Sequence, residues 1–163
     1  MALSAAEVVE VARLEWWVAG LVGMAAAIED LARRTISNWT VIAALAAGLA
    51  CQVLSQGWMG IGYAAAGAVA GFAVFLVFYI LGGMGGGDVK LMAGFGAMLG
   101  VGRLLPFAFF TALTGGLLAA AALGFAALRR WWRATPQGES SPVSIPYAPA
   151  IALGVWLTLL SAK

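Results

Sequence analysis

The amino-acid sequence predicts an all-α protein, a polytopic membrane-embedded bundle of about six transmembrane helices. Hydrophobic residues make up 63% of the chain, charged residues make up 10%, and the mean hydropathy is +0.97, well above the value for soluble domains. Long apolar runs recur along the chain, separated by short segments with Gly or charged residues. A bilayer core about 30 Å thick requires roughly 20 apolar residues in a helix, so these runs are candidates for membrane spans.

The apolar runs define the predicted spans in chain order. They cover residues 9–29, 39–54, 58–81, 89–101, 104–128 and about 145–160. The fourth is short and rich in glycine, so it is either a half-buried helix or a full crossing that begins within the preceding glycines. We expect residues 1–163 to form a single membrane-embedded domain. Gly67 and Gly71, spaced as GxxxG, favour close helix packing.

The basic residues predict the orientation, because Lys and Arg collect in cytoplasmic loops. If the spans alternate, Arg13, Arg103 and Lys163 lie on one side of the membrane. The other side, which we assign to the cytoplasm, receives Arg33, Arg34, Lys90, Arg129, Arg130 and Arg133. Both termini are then expected outside. The polar segment 129–143 is interpreted as a solvated connection anchored by Trp131 and Trp132.

Composition also excludes several kinds of chemistry. The chain has no histidine, which removes zinc sites built on His and nucleophilic triads that need a His base. The single cysteine, Cys51, lies in an apolar run and is interpreted as a packing residue. The small excess of basic residues does not indicate nucleic acid as a partner. We expect neither a metal nor a cofactor.

The chain contains only two aspartates, Asp30 at the end of the first span and Asp88 before the fourth. The predicted topology places both at one membrane face. Two carboxyls brought together near hydrocarbon share one proton, because burial and like charge both disfavour a second ionisation. One then serves as a general base and the other as a general acid for activating water against an amide. This pattern leads to the hypothesis of an aspartyl peptidase.

Each aspartate also has a structural interpretation. Asp88 is suited to cap the N-terminus of the fourth helix, and such a cap is compatible with catalysis. Asp30 has the spacing to pair with Arg33 or Arg34 on the same helix. The glycines before Asp88 favour close approach of an extended peptide, or alternatively a hinge between two spans. These glycines are Gly82, Gly83, Gly85, Gly86 and Gly87.

Two segments resemble a known family. Residues 85–100, GGGDVKLMAGFGAMLG, resemble the GxGDxKLxAxxGxxLG form of the type IV prepilin peptidases, which are intramembrane aspartyl proteases. Residues 30–40, DLARRTISNWT, are similar to the first-aspartate segment of that family, with Ser37 where proline is usual. A weaker match, IPYAPAIALG at residues 145–154, resembles the start of the last span of the family.

The resemblance implies Asp30 and Asp88 as the catalytic pair. It also assigns an active-site or substrate-binding loop to Gly85, Gly86, Gly87, Lys90, Glu29 and Asn38. Glu29 is expected either to meet a basic leader peptide or to serve as a second interfacial charge. Lys90 is expected either to lower the pKa of Asp88 or of a substrate carboxyl, or to anchor the cytoplasmic side.

The resemblance further implies the substrate and its setting. The substrate is a prepilin or pseudopilin with a basic leader, a glycine at the cleavage point and an apolar transmembrane helix. The enzyme is expected in the bacterial inner membrane with its active site facing the cytoplasm, and pilus-assembly proteins are further partners. No N-terminal region with paired cysteines is visible, so the chain resembles the short branch of Flp and tight-adherence pili. We therefore expect no separate methyltransferase-type domain.

Two other classes of protein remain open on the residues alone. A small transporter also uses intramembrane carboxylates and glycine-broken helices, although both aspartates are predicted at one face. A structural subunit of a secretion or pilus assembly would use the aspartates only as caps. The variant Asp88→Asn separates these interpretations, because a structural role survives it and a peptidase does not.

Overall fold

The structure, a computed structural model, describes residues 5–82, 84–132 and 147–161. Within these ranges all regular secondary structure is helical, as six α-helices and one short 3₁₀ helix. The α-helices are α1 (Ala5–Arg33), α2 (Asn38–Gln56), α3 (Met59–Ile80), α4 (Gly86–Leu99), α5 (Leu104–Trp132) and α6 (Ala148–Ser161), and the 3₁₀ helix is Val101–Arg103. The predicted all-α class is confirmed, and each predicted apolar run corresponds to one helix.

Three helical segments are long and apolar enough to cross a membrane, namely Asn38–Gln56, Met59–Ile80 and Val101–Phe125. The fourth predicted span is different. Helix α4 has 14 residues, and a helix of that length extends about 21 Å, which is less than the bilayer core. From Gly94 to Gly100 every residue is buried by the surrounding helices. Helix α4 is therefore a short helix enclosed by the bundle.

The glycine run differs in part from expectation. Gly82 has φ +75°, a conformation that favours glycine, and it ends the turn after α3. Gly86 and Gly87 form the first turn of α4, so the helix begins before the predicted start at Val89. The hydrogen bond from the Gly85 N–H to the Asp88 carboxyl closes this turn and offsets the weak helix propensity of glycine. Gly83 lies outside the described residues, as do residues 133–146 of the predicted polar connection and Lys163.

Small residues let α4 lie close to α2 and α3. A Cβ atom at Gly67 or Gly71 of α3 would collide with the backbone of α4, at Gly96 and Met92 respectively. On the other side, a Cβ at Gly48 of α2 would lie 2.6 Å from the backbone nitrogen of Met98. The predicted GxxxG packing is thus confirmed. Such close contact replaces the hydrophobic driving force that is absent between helices in lipid.

The outer surface of the bundle is apolar. Large hydrophobic side chains such as Leu21, Ile42, Val69, Leu105 and Leu117 are exposed on α1, α2, α3 and α5. In water these would form aggregation-prone patches, whereas in a bilayer they face lipid.

Cys51 is buried on α2, as the packing interpretation predicts.

Candidate active site

The two aspartates of the chain meet at one end of the bundle. Asp30 lies in the last turns of α1 and Asp88 in the first turn of α4. The exposed fractions of the two residues are 7% and 9%, so neither carboxyl is freely hydrated. They are near enough for the charge of Asp30 to act on the titration of Asp88. The structure therefore brings together the pair of residues singled out in the sequence.

Asp30 is held by helix α6. The backbone N–H of Ala148, the first residue of α6, donates a hydrogen bond to Asp30 Oδ2 at 3.0 Å. The first N–H groups of a helix lack partners within the helix, and its N-terminus favours a negative charge. Among the described residues, neither Arg33 nor Arg34 forms an ion pair with Asp30. The interpretation of Asp30 as half of a same-helix ion pair is therefore wrong for this conformation.

Asp88 is held by its own helix terminus. The residue that caps α4 is Gly85, and its backbone N–H donates to Asp88 Oδ2 at 3.2 Å. Asp88 thus closes the first turn from the third helical position and is not itself the N-cap residue. Both aspartates share one arrangement, in which a backbone N–H fixes Oδ2 and orients the carboxyl.

The glycines beside Asp88 have separate spatial reasons. A Cβ at Gly85 would lie 2.9 Å from Asp88 Oδ2, so a side chain there would displace the carboxyl. At Gly87 a Cβ would lie 3.3 Å from Cβ of Ile36, in the loop between α1 and α2. At Gly86 the nearest atom is 3.5 Å away on the ring of Tyr79, which is ordinary contact. Of the three, Gly85 is the one that the carboxyl requires.

The titration of Asp88 is strongly shifted. Burial, followed by the negative charge of Asp30, raises the pKa of Asp88 from the usual 3.8 to about 6, although the Gly85 N–H acts in the opposite direction. A carboxyl with such a pKa holds its proton where an exposed aspartate has lost it. The arrangement thus provides a proton donor beside a second carboxyl, as two-carboxyl hydrolysis requires.

Glu29 belongs to a network that fixes the loop after α1. Its Oε2 accepts hydrogen bonds from the Ser37 backbone N–H at 3.1 Å and from the Thr40 hydroxyl at 2.6 Å. Ser37 is the N-cap of α2, and its hydroxyl accepts from the Thr40 N–H at 3.2 Å. The sequence alone identifies Ser37 only as a departure from the family pattern and assigns no role to Thr40, although a Ser just before a predicted helix is an N-cap signal.

Lys90 and Asn38 form a separate contact at the surface. The Lys90 ammonium donates to Asn38 Oδ1 at 3.3 Å and joins α4 to the start of α2. Lys90 is not among the groups that shift the pKa of Asp88, which is raised and not lowered. The expectation that Lys90 lowers this pKa is therefore wrong.

Among residues 5–82, 84–132 and 147–161, no group of three or more His, Cys, Asp and Glu side chains is placed to hold a metal ion.

Comparison with known proteins gives one consistent result. The sequence profile of the type IV leader peptidase family matches residues 17–120, a range that contains both aspartates. The chain is 41% identical over 96 residues to a prepilin leader peptidase/N-methyltransferase of Bacillus subtilis (strain 168), covering 58% of this chain and 34% of that protein. It is 30% identical over 138 residues to proteins of the same name from Aeromonas hydrophila and Aeromonas salmonicida (strain A449), covering 80% of this chain and 43% of each.

The chain therefore spans less than half the length of these curated relatives. No solved structure matches it.

Proposed function

The chain belongs to the type IV leader peptidase family, and we propose that it is a prepilin leader peptidase in which Asp30 and Asp88 are the catalytic residues. The observation that carries this proposal is the meeting of these two buried side chains, the only aspartates in the sequence, at one end of the bundle. The reaction is hydrolysis of one peptide bond in a prepilin or pseudopilin. Residues 1–163 act in it as a single membrane-embedded domain.

In the mechanism that we propose, the pair starts with one proton, carried by Asp88. Two observations support this distribution. The pKa of Asp88 is raised, and the backbone N–H of Ala148 at the start of α6 stabilises a negative charge on Asp30. Water lies between the carboxyls and loses a proton to Asp30 as its oxygen bonds to the peptide carbonyl carbon. Asp88 gives its proton to the carbonyl oxygen, which yields a neutral tetrahedral diol.

The diol then collapses. The carbon–nitrogen bond breaks, Asp30 returns the proton that it received to the leaving nitrogen, and one diol hydroxyl returns a proton to Asp88. The products are a free carboxyl on the leader and a free amino group on the mature pilin. The two aspartates end in their starting protonation states, so the cycle needs no covalent intermediate.

The scissile bond has to be presented in an extended backbone, because a peptide locked in helical hydrogen bonds does not offer its carbonyl. The turn at Gly85 and Gly87, beside the α1–α2 loop, supports approach of such a segment to the carboxyls. A glycine at the cleavage point of the substrate fits the same requirement. Flp-type prepilins, with a basic leader before an apolar helix, are the substrate class that we propose.

The position in the membrane is part of the proposal. Basic residues closely follow both aspartates in the sequence: Arg33 and Arg34 after Asp30, and Lys90 after Asp88. Because basic residues favour the cytoplasmic side, they indicate which face of the membrane holds the aspartates. We place the active site at the cytoplasmic face of the bacterial inner membrane and both termini outside. Pilus-assembly proteins are the partners expected after cleavage.

Leader cleavage tests the proposal directly. Wild-type chain, Asp30→Asn and Asp88→Asn are each co-expressed with a Flp-type prepilin, and cleavage in membranes is read by gel shift and intact mass. Glu10→Gln is the matched control, since Glu10 is an exposed acid at the other end of α1. We expect cleavage by wild type and Glu10→Gln, and none by either aspartate variant at equal protein level. Undiminished cleavage by one aspartate variant removes that residue from the mechanism.

A further inference from the structure

A cavity with a mixed apolar and polar lining lies at the end of the bundle opposite to the aspartates. Its volume is about 340 Å³, and it is bounded by α1, the end of α2, the start of α3, the end of α4 and the 3₁₀ helix. The polar side chains in its wall are Glu15, Cys51, Gln52, Ser55, Gln56, Tyr63 and Arg103. Glu15 and Asp30 belong to the same helix, and their spacing along it corresponds to about 22 Å. The cavity is thus separate from the candidate active site.

An ion pair forms one wall of this cavity. Nη1 of Arg103 donates to both carboxylate oxygens of Glu15, each at 3.0 Å. The Glu15 side chain is 12% exposed, whereas that of Arg103 is 42% exposed. A guanidinium has five N–H donors, and within the described part of the chain only Nη1 of Arg103 has a partner. Nε and Nη2 therefore remain as donors for a ligand.

A chain of amides forms the wall beside α2. The Gln52 amide donates to the Met98 carbonyl at 2.8 Å, and the Gln56 amide donates to Gln52 Oε1 at 2.6 Å. Gln52 is thereby fixed by the end of α4. Gln56 is left with its carbonyl oxygen as an acceptor, since no donor to it is found among residues 5–82, 84–132 and 147–161.

We propose that this cavity binds the head group of phosphatidylethanolamine. A carboxylate and a guanidinium lie side by side in the wall. A simple anion would therefore be repelled by Glu15, and a simple cation would be repelled by Arg103. A group with a phosphodiester and a primary ammonium has a partner for each. The free donors of Arg103 bind the phosphate oxygens, and Glu15 with the Gln56 carbonyl oxygen accepts the ammonium protons.

The position of the cavity favours a lipid as the source of this group. Trp58, at the same end of the bundle between α2 and α3, is 88% exposed, and exposed tryptophans mark the level of lipid head groups. Leu14 of α1 and Ile61 of α3 are exposed and lie close in sequence to the cavity residues Glu15 and Tyr63, so apolar side chains are available for acyl chains. The binding does not depend on the proposed peptidase activity.

Native mass spectrometry of the purified full chain tests the proposal. The protein is mixed with equal amounts of phosphatidylethanolamine, phosphatidylglycerol and phosphatidylcholine, and retained lipid is counted. We expect phosphatidylethanolamine to be retained at least tenfold over the other two, and that preference to disappear in Arg103→Gln and Glu15→Gln. Arg13→Gln is the control, because Arg13 is exposed on the same half of α1 but does not line the cavity. Equal retention of the three lipids by wild type overturns the proposal.

The only cysteine gives a second readout that needs no variant. Cys51 is largely buried but lines the cavity, so N-ethylmaleimide reaches its thiol through the cavity, and a bound head group slows the reaction. We expect labelling to be at least fivefold slower in nanodiscs that contain phosphatidylethanolamine than in nanodiscs of phosphatidylglycerol alone. Equal labelling rates overturn the proposal. Equal shielding by soluble phosphoethanolamine in phosphatidylglycerol nanodiscs overturns the lipid as the source and leaves a soluble zwitterion as the ligand.

Discussion

The backbone N–H of Gly85 donates a hydrogen bond to Asp88 Oδ2 at 3.2 Å, and a Cβ placed on Gly85 would lie 2.9 Å from that same oxygen. A side chain at Gly85 would therefore displace the same carboxyl that the Gly85 N–H orients. A displacement of about 1 Å at a reacting group is enough to reduce a rate by roughly 100-fold. Gly85 and Asp88 thus act as one unit.

The first prediction concerns this unit. We expect Gly85→Ala to reduce leader cleavage by about 10- to 100-fold, because the new methyl group pushes the Asp88 carboxyl from its position. Gly116→Ala is the matched control, since a Cβ at Gly116 of α5 would meet no atom within 4 Å. Initial rates with a synthetic prepilin peptide in detergent measure both. Equal rates for the two variants would contradict the required position of Asp88.

The second prediction concerns pH and activity. The pKa of Asp88 is raised to about 6 by burial and by Asp30, so its acid form is lost as the pH rises through that value. We expect kcat/KM to fall above about pH 6 and to approach a tenfold loss per pH unit well above it, since one proton is required. Rates measured between pH 5 and 8.5, with recovery checked by returning samples to pH 5.5, test this. A profile that is flat or rising across the range is incompatible with Asp88 as the acid.

The third prediction concerns pH and stability. A raised carboxyl pKa means that the folded state holds the Asp88 proton more tightly than the unfolded chain. The stabilisation is thus present below the ordinary pKa of 3.8 and is lost as the pH rises through about 6. Asp88→Asn cannot ionise, so we expect its free energy of unfolding to exceed that of wild type by up to about 3 kcal/mol at pH 8.

At pH 4 the same two proteins should be about equally stable, because Asp88 is then protonated in the folded wild type. Chemical unfolding in mixed micelles at both pH values provides the measurement. A difference that does not change with pH would mean that Asp88 has the same pKa in the folded and unfolded states, which would contradict the raised pKa.

The fourth prediction concerns Ser37, which stands where the resembling family usually has proline. Its φ of −71° suits proline, but its N–H donates to Glu29 and its hydroxyl caps α2. Ser37→Pro removes both interactions, and we expect a loss of about 1–3 kcal/mol in stability. Ser37→Ala, which keeps the N–H, should lose about 1 kcal/mol. A stabilised Ser37→Pro variant would show that the Glu29 contact is unimportant.

The fifth prediction concerns the packing of α3 on α4. We expect Gly67→Ala to destabilise the protein by about 1–3 kcal/mol, because its Cβ collides with the Gly96 carbonyl. A Cβ at Gly62 of the same helix would meet no atom within 4 Å, so Gly62→Ala should be neutral or slightly stabilising. Thermal unfolding of the two variants makes the comparison. Equal melting temperatures would contradict close α3–α4 contact.

The sequence was informative about the aspartates for a physical reason. A carboxyl near hydrocarbon is costly, so two in a chain this apolar stand out, and alternating spans put both at one end. The GxxxG spacing of Gly67 and Gly71 predicted close packing for a similarly local reason. Both inferences need only composition, spacing and the thickness of a bilayer.

Other features depend on tertiary placement. No local pattern links Asp30 to the N–H of Ala148, because the two residues meet only when α6 docks. The pattern of basic residues identifies Arg103 only as a signal of orientation, whereas in the bundle Arg103 pairs with Glu15. The early start of α4 at Gly86 is likewise not predicted by helix propensity, and the hydrogen bond between Gly85 and Asp88 closes this first turn.

The hydrogen bond from Ala148 to Asp30 has a consequence for synthesis of the protein. Asp30 leaves the ribosome early, Asp88 follows near the middle of the chain, and the N–H that orients Asp30 belongs to α6. During translation the growing chain thus holds one carboxyl without its orienting partner. Under the mechanism proposed above, we expect no peptide cleavage before α6 is inserted, because Asp30 then lacks the hydrogen bond from Ala148, and the order of the helices delays the onset of activity.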